Sequence, residues 1–510
     1  LFRSNMSSPF ALQRSNVAYE QLLKHCHNEF QKTYWKWFVA LSEIPRPSYH
    51  CGPFSEWVMK QADKLGLRAK TDKAKNVCVH IPASKGHENA PGVILQAHMD
   101  MVASVVDGKE FNFETTPITL IVNDTHITAD GTTLGADDGA GLASLLSLME
   151  LRDQFEHGPI EALFTTDEEP GLLGAMELKE GELFDSAKYF INVDSEEWGE
   201  VCISSAGCAQ RNITVPFTRE LATGDLVTVS LEGFKGGHTG AEIHTQRANA
   251  LKWMVRMVLH QNPLKQSIRL VDFKAGHTDN AIPTKAYAEF IVPDGEAFKK
   301  YLENNHSAYV TIFSGAEEAP AMKVTVNKGV TMNAAKLVDS ANILFLLNNI
   351  PHGVIRFSPD VPDLTETSTS LSVAKMGENS IDIIILSRSA NNDYLADCVK
   401  AIERLASVHN ATIVTPTPDI GGWPALPNCH LLDSIKKVYK QLYHSDMAVT
   451  ACHGGLENSI ILNQYPSMNL ESISIGPTCK DVHTPAETLE IESGNKLLDL
   501  ICALTTELTH

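Results

Sequence analysis

Three short apolar runs each end in side chains that can bind metal. Residues 93–96 run into His98-Met99-Asp100, residues 160–165 into Asp167-Glu168-Glu169, and residues 189–193 into Asp194-Ser195-Glu196. Between the first two lies Leu134-Gly135-Ala136-Asp137-Asp138-Gly139, and residues 139–151 that follow are small and apolar, as a buried helix would be. Such runs, alternating with helical patterns, read as strands of a mostly parallel central sheet flanked by helices, an α/β fold. Polar groups at the strand ends of an open α/β sheet lie where sites form.

At 510 residues the chain exceeds one ordinary core, so at least two domains are expected. Its 62 acidic and 42 basic residues give a net charge of −20. A surface this acidic repels phosphate backbones and anionic lipid, which argues against nucleic acid and membrane partners. No apolar run is long enough to span a bilayer. The ten cysteines include no CxxC pair and read as reduced thiols of a cytoplasmic chain. Residues 1–19 lack Asp and Glu but carry Arg3 and Arg14, a weak likeness to an organellar transit peptide. The plainer reading is a disordered leader over 1–20.

Residues 18–41 have helical spacing, ended by Ile44-Pro45-Arg46-Pro47. Residues 55–65 read as a second amphipathic helix with Ser55 as its cap. From about 210 the texture changes. Residues 213–215, 226–231, 287–292, 322–326 and 381–386 look like alternating strands, with helical patterns over 247–260 and 393–408. That mixture suits a separate α+β domain. A Pro/Gly-rich stretch over 415–427 reads as a linker. A helix over 431–443 and strand-like 447–450 and 472–475 then return to the first texture. The expected layout is a first domain over 21–208 and 423–510, with a second inserted over 209–422.

The candidate chemistry follows from residue type. A neutral imidazole at His98 suits zinc, and Asp100 could hold its other ring nitrogen. Of Asp137 and Asp138, one carboxylate could bridge two metals and the other cap the helix behind. The glycines around them permit close approach of a ligand or ion. The adjacent carboxylates Glu168 and Glu169 repel, and a metal ligand beside a general base accounts for the pair. Asp194 adds a carboxylate. His483, before Pro485, is placed as a late-arriving ligand. Each has a plain alternative: a satisfied core histidine, a helix cap or a solvated acidic turn.

These residues match a known family. The chain resembles the aminoacyl-histidine dipeptidases (peptidase D), within the co-catalytic dizinc amidohydrolases. The resemblance rests on IPRPSYH at 44–50, LQAHMDMV at 95–102, GTTLGADDG at 131–139, DSEE at 194–197, FKGGHTGAEIH at 234–244, NAIP at 280–283, GLE at 455–457, SIGPT at 474–478 and VHTP at 482–485. It implies two zinc ions, with Co²⁺ or Mn²⁺ able to substitute. His98 and Asp194 would hold one, Glu169 and His483 the other, and Asp137 would bridge both. Asp100 would orient His98, and Glu168 would be the general base for the attacking water. The inserted domain resembles a lid and dimerisation domain. Within it His238 would face the oxyanion and Asn280 and Arg388 would hold substrate, with Gly455 of the first domain as a further substrate-binding residue. A guanidinium suits a dipeptide's C-terminal carboxylate, although a surface ion pair is the plain reading of Arg388. Bacterial members carry Arg where Asp279 stands, which puts the Xaa-His preference in question.

The resemblance thus implies a homodimeric dizinc dipeptidase acting on small, unblocked peptides of Xaa-His type, β-Ala-His among them. The alternatives are a related dizinc amidohydrolase, either an N-acyl amino acid hydrolase or a tripeptidase, and a metal-binding scaffold without catalysis. Retention of Glu168 beside five candidate ligands argues against the scaffold.

Overall fold

The computed structural model describes residues 9–260, 267–362 and 364–510, with side chains from Ser15 onward. The chain forms two compact units: Leu1–Ser204 with Ala425–Ala451 and Leu456–His510, and Ser205–Pro424 with Cys452–Gly455. Sequence alone did not separate the short segment Cys452–Gly455, expected in the first domain, from its neighbours.

The first unit is built on an eight-stranded sheet. Its order is Arg68–Thr71, Val77–Ile81, Ile160–Thr165, Val93–His98, Tyr189–Asn192, Glu471–Ser474, Glu200–Ser205 and Ala448–Cys452. Val93–His98 pairs in parallel with both Ile160–Thr165 and Tyr189–Asn192, and Glu471–Ser474 extends that parallel core. Strand Val77–Ile81 is antiparallel to Ile160–Thr165. The central strands are buried at every position, which explains why they read as continuous apolar runs rather than alternating ones. Their parallel pairing in register places His98 opposite Thr165, so the loops after both strands emerge at one end of the sheet.

The helical pattern over 18–41 is two helices, Pro9–Leu22 and Glu29–Ser42. Asn28 separates them: its Oδ1 accepts from Gln31 N at 2.8 Å, starting a new helix. Trp35, fully buried, donates its indole N–H to Asn495 Oδ1 at 2.7 Å and so ties this helix to Ile491–Glu507. The expected disordered leader over 1–20 is corrected from Pro9 onward, because that segment is helical and buries Ala18 and Leu22. Residues 1–8 lie outside the described residues. Ser55 is also corrected. The helix begins at Gly52, with Pro53 in its first turn, and the Ser55 hydroxyl donates to Lys75 O at 2.7 Å instead of capping.

The second unit is an antiparallel sheet ordered Ala321–Ala335, Arg219–Glu232, Ala286–Val292, Arg269–Ala275, Thr365–Met376, Ser380–Ser389, Gly207–Pro216 and Thr412–Val414, with Gly353–Phe357 paired to Thr365–Met376. Helices Ala250–Leu259, Gly295–Ile312, Leu337–Asn349 and Asn392–Val408 complete it. Its core holds Phe273, Phe290, Phe298, Trp253 and Leu347. Among the described residues, no helix is long and apolar enough to cross a membrane. None of the ten cysteines forms a disulfide.

Helix Ala136–Leu151 is buried along almost its whole length. Its glycines serve side-chain packing. A Cβ at Gly141 would lie 2.5 Å from Asp138 Oδ1 and 2.8 Å from Val193 O. The missing side chain therefore makes room for a carboxylate of the chain itself, not for a ligand. Gly141→Ala is expected to cost about 1–3 kcal/mol by overpacking and to lower activity together with stability. Chemical denaturation checks this, and an unchanged midpoint would contradict it.

Candidate active site

The strand-end loops of the first unit converge on Asp137. Its Oδ1 lies 2.9 Å from His98 Nε2 and its Oδ2 lies 3.0 Å from His483 Nε2. One carboxylate thus spans two imidazoles. On the His98 side Asp194 Oδ1 lies 3.5 Å from the same Nε2. On the other side Glu169 Oε2 lies 2.9 Å from His483 Nε2. The five residues expected as ligands are therefore brought together around one carboxylate.

Burial drives the electrostatics. It works to raise Asp137, but hydrogen bonds from His483 and His98 outweigh it and hold this carboxyl below its usual range. Burial would lower His98, yet Asp194, Asp100 and Asp137 hold it well above the usual imidazole value. Hydrogen bonds to Asp137 and Glu169 raise His483 to about 11. Burial pushes Asp194 up to about 7 despite His98, and lifts Glu168 well above the carboxylate range, with Asp194 and Glu457 adding to it. Carboxylates outnumber the cations available to them. Glu169 also keeps a buried oxygen, Oε1, without a hydrogen-bond partner. Imidazole and carboxylate donors in this excess form a donor set for divalent cations of the zinc type. The triads His98–Asp137–Glu169 and His98–Asp138–Asp194 each place three ligand atoms within 4.8 Å of one another.

Asp100 does more than orient a ring. Its Oδ1 lies 3.3 Å from His98 Nδ1 and accepts Glu168 N–H at 2.9 Å, while its Oδ2 accepts Glu169 N–H at 3.3 Å and the Ser48 hydroxyl at 2.8 Å. One carboxylate thereby fixes both the histidine and the Glu168-Glu169 loop. Asp138 takes the capping role left open in the sequence. Its Oδ2 accepts His98 N–H at 3.2 Å and its Oδ1 accepts Gly141 N–H at 2.9 Å.

Three supporting residues escaped the sequence reading. Glu487 accepts four consecutive backbone amides, from Leu134 at 2.7 Å, Gly135 at 3.0 Å, Ala136 at 2.7 Å and Asp137 at 3.3 Å. Arg46, buried, donates to the carbonyls of Asp100 at 2.8 Å and Met99 at 3.2 Å, and also to Gly135 O. Gly135 has φ +70°, and a Cβ there would lie 2.8 Å from the Arg46 guanidinium, so both backbone and space require glycine. Glu457, fully buried, accepts from Thr165 Oγ1 at 2.8 Å and from Gln96 Nε2, and burial raises it to about 8. The spacing of Glu487 four residues after His483 was the available signal. Nothing in the sequence marked Arg46 out from other proline-flanked arginines.

The second unit carries the other expected residues. His238 Nδ1 accepts N–H groups from Gly240 at 3.3 Å and Ala241 at 3.2 Å. Those donors leave the ring proton on Nε2. Burial and Arg388 lower the His238 pKa. Arg388 is buried, its Nε donates to Thr239 Oγ1 at 3.3 Å, and one terminal nitrogen lies 3.5 Å from His238 Nε2. Among the described residues no carboxylate pairs with it within ion-pair distance, so the surface ion-pair reading fails. Asn280 accepts Thr239 N–H through its backbone carbonyl at 2.8 Å, with its own side chain exposed. Gly455 lies in the same unit. His453, which sequence missed, contacts the Ser368 hydroxyl at 2.7 Å, and burial with Arg388 lowers it to about 3.

Residues 94–507 match peptidase family M20/M25/M40. The chain belongs to that family. This M20 peptidase, a peptide-bond hydrolase, is 32% identical over 484 residues to the cytosol non-specific dipeptidase of Escherichia coli, covering 93% of this chain and 97% of that one. It is similar to the crystal structure of aminoacylhistidine dipeptidase from Vibrio alginolyticus, with a TM-score of 0.85 and 30% identity over 94% of this chain and 98% of that one. Aminopeptidase PepT from Bacillus cereus shares the fold at a TM-score of 0.56 and 16% identity, covering 94% of this chain and 99% of that one.

Glu487→Ala would leave four amides without their acceptor. The expected outcome is a 10–100-fold loss of metal affinity, roughly the range seen when groups supporting ligands are removed, with Glu487→Gln intermediate. Competition against a chelator measures it, and an unaltered affinity in both variants would contradict the role.

Proposed function

We propose that this M20 peptidase is a dizinc dipeptidase that hydrolyses unblocked dipeptides, with Xaa-His substrates, β-Ala-His included, as its preferred class. The observation that carries the reading is the Asp137 carboxylate, one oxygen to each of His98 and His483, with Asp194 and Glu169 beside them. In this reading His98 and Asp194 would hold one ion, Glu169 and His483 the other, and Asp137 would serve both. Zinc is the metal expected, with Co²⁺ or Mn²⁺ able to replace it. When bound, the pair supplies Lewis acidity, polarising the scissile carbonyl and making water acidic enough to lose a proton at neutral pH.

The chain's own groups do the remaining work. Glu168, beside the ligand cluster and lifted by burial, accepts the proton of the attacking water and returns it to the leaving amine. Asp100 holds the backbone of Glu168, so base and ligand loop are positioned together. His238 donates from Nε2 to the developing oxyanion. Arg388 receives the C-terminal carboxylate of the dipeptide, for which its planar fork is suited, and Asn280 and Gly455 complete the substrate contacts. The relatives support this class: one is named a non-specific dipeptidase and the other an aminoacylhistidine dipeptidase. Assembly as a homodimer in a cytoplasmic setting belongs to the same reading.

Glu168→Gln is expected to lower turnover by about 10²–10⁴-fold, the usual contribution of a positioned base, with both zinc ions retained. Loss of metal in that variant would overturn the assignment of the base. A panel of Ala-His, β-Ala-His, Gly-Gly-Gly and N-acetyl amino acids tests the substrate class. Zinc-dependent cleavage of the dipeptides is expected, and cleavage of acetylated substrates alone would overturn the reading.

A further inference from the structure

Within the second unit a cavity of about 310 Å³ opens between helix Ala250–Leu259, the end of helix Gly295–Ile312 and strand Gly353–Phe357. None of His238, Asn280, Arg388 or Gly455 lines it. Its walls are of two kinds. One is aromatic: Trp253 forms the floor, 2% exposed, its ring centroid 5.5 Å from Tyr309 and 5.4 Å from Phe313, and Phe357 is 53% exposed at the rim. The other is basic: Arg247, Lys252 and Arg256 all line the cavity, and no acidic residue does, although burial and Arg256 lower Lys252 to about 7 and leave the two arginines as the cavity's fixed charges.

The three basic residues differ in what already holds them. Lys252 is buried, its ammonium donating to the carbonyls of Leu347 at 2.9 Å, Asn348 at 2.7 Å and Ile350 at 2.5 Å. It closes the end of helix Leu337–Asn349 and is occupied. Arg247 donates one N–H to Gly236 O at 2.8 Å and keeps the rest of its fork. Arg256 is exposed and, among the described residues, has no carboxylate within ion-pair distance and no hydrogen-bond partner. The cations are felt across the cavity: burial with Lys252 and Arg256 lowers His352 to about 3, and Arg256 pulls against the burial that raises Tyr309. In a chain of net charge −20, basic residues thus line a cavity without an acidic residue in its wall, beside flat apolar walls. Ligand sites combine such a volume and aromatic lining with a few convergent polar groups, and an arginine fork matches carboxylate or phosphate.

We infer that this cavity is a second ligand site, taking a small organic anion with a planar apolar body, such as an aryl phosphate or aryl carboxylate, with the anion on Arg256 and Arg247 and the ring among Trp253, Tyr309, Phe313 and Phe357. Calorimetric titration of the zinc-loaded enzyme with phenyl phosphate tests it. Saturable binding is expected, with inorganic phosphate and phenol each weaker because each offers half of the ligand. Arg256→Ala and Phe357→Ala, both at exposed side chains, should each weaken phenyl phosphate about tenfold, or roughly 1.4 kcal/mol, with dipeptide turnover unchanged. Absence of binding to the wild-type enzyme would overturn the inference. So would binding that neither variant weakens, which would place the probe elsewhere. Sedimentation showing that a second copy covers this face, with Phe357→Ala releasing it and no phenyl phosphate bound, would assign the face to assembly instead.

Discussion

One carboxylate joins the ends of the candidate active site. Glu487 takes the backbone amides of residues 134–137 from about 350 residues away in sequence, and His483 sits four residues before it. The loop that carries Asp137 and the loop that carries His483 are therefore one hydrogen-bonded object. Without that clamp, the amides of residues 134–137 at the start of helix Ala136–Leu151 would lose their acceptor, at a cost of about 1–3 kcal/mol for each left buried and unpaired. Arg46 completes the frame from below by tying the Asp100 carbonyl to the Gly135 carbonyl. The separation between His98 and His483 is set by this scaffold of backbone hydrogen bonds, which is the condition for a preorganised site.

The charge distribution explains why the scaffold must be rigid. Several buried carboxyls crowd two imidazoles, and burial raises Asp194, Glu168 and Glu457 together. Such groups repel unless cations stand between them. Roles then divide by backbone contact. Asp138, bonded to the N–H of His98 and of Gly141, is committed to the fold. Asp137, next to it, is left with both oxygens for the imidazoles. Asp100 links the halves, holding His98 with one oxygen and the glutamate loop with both.

Much of this was legible in the sequence because it is written in local patterns. The apolar runs over 93–96, 160–165 and 189–193 are strands, and the polar residues after them converge because parallel strands in register end together. Of the Asp137-Asp138 pair, Asp138 takes the capping role and Asp137 faces both imidazoles. What remained hidden depends on distant partners. Arg46 looked like part of a proline-rich stop, and its role appears only when carbonyls from residues 99, 100 and 135 surround it. His453 was passed over because Cys452–Gly455 joins the second unit as an isolated four-residue return. The break between the first two helices was missed because apolar spacing continues across it, while an asparagine side chain caps the start of the second. Helices Gly295–Ile312 and Leu337–Asn349 of the second unit went unread amid its strand-like alternation.

The central claim is that Asp137 stands between two cation sites, one on His98 and Asp194 and the other on Glu169 and His483. Anomalous diffraction from crystals of the zinc-loaded enzyme, recorded on both sides of the zinc edge, tests it most directly. Two peaks about 3.5–4 Å apart, the spacing usual for paired catalytic ions, with one Asp137 oxygen on each, is the predicted result. A single peak, or a pair in which Asp137 contacts only one ion, would contradict the account.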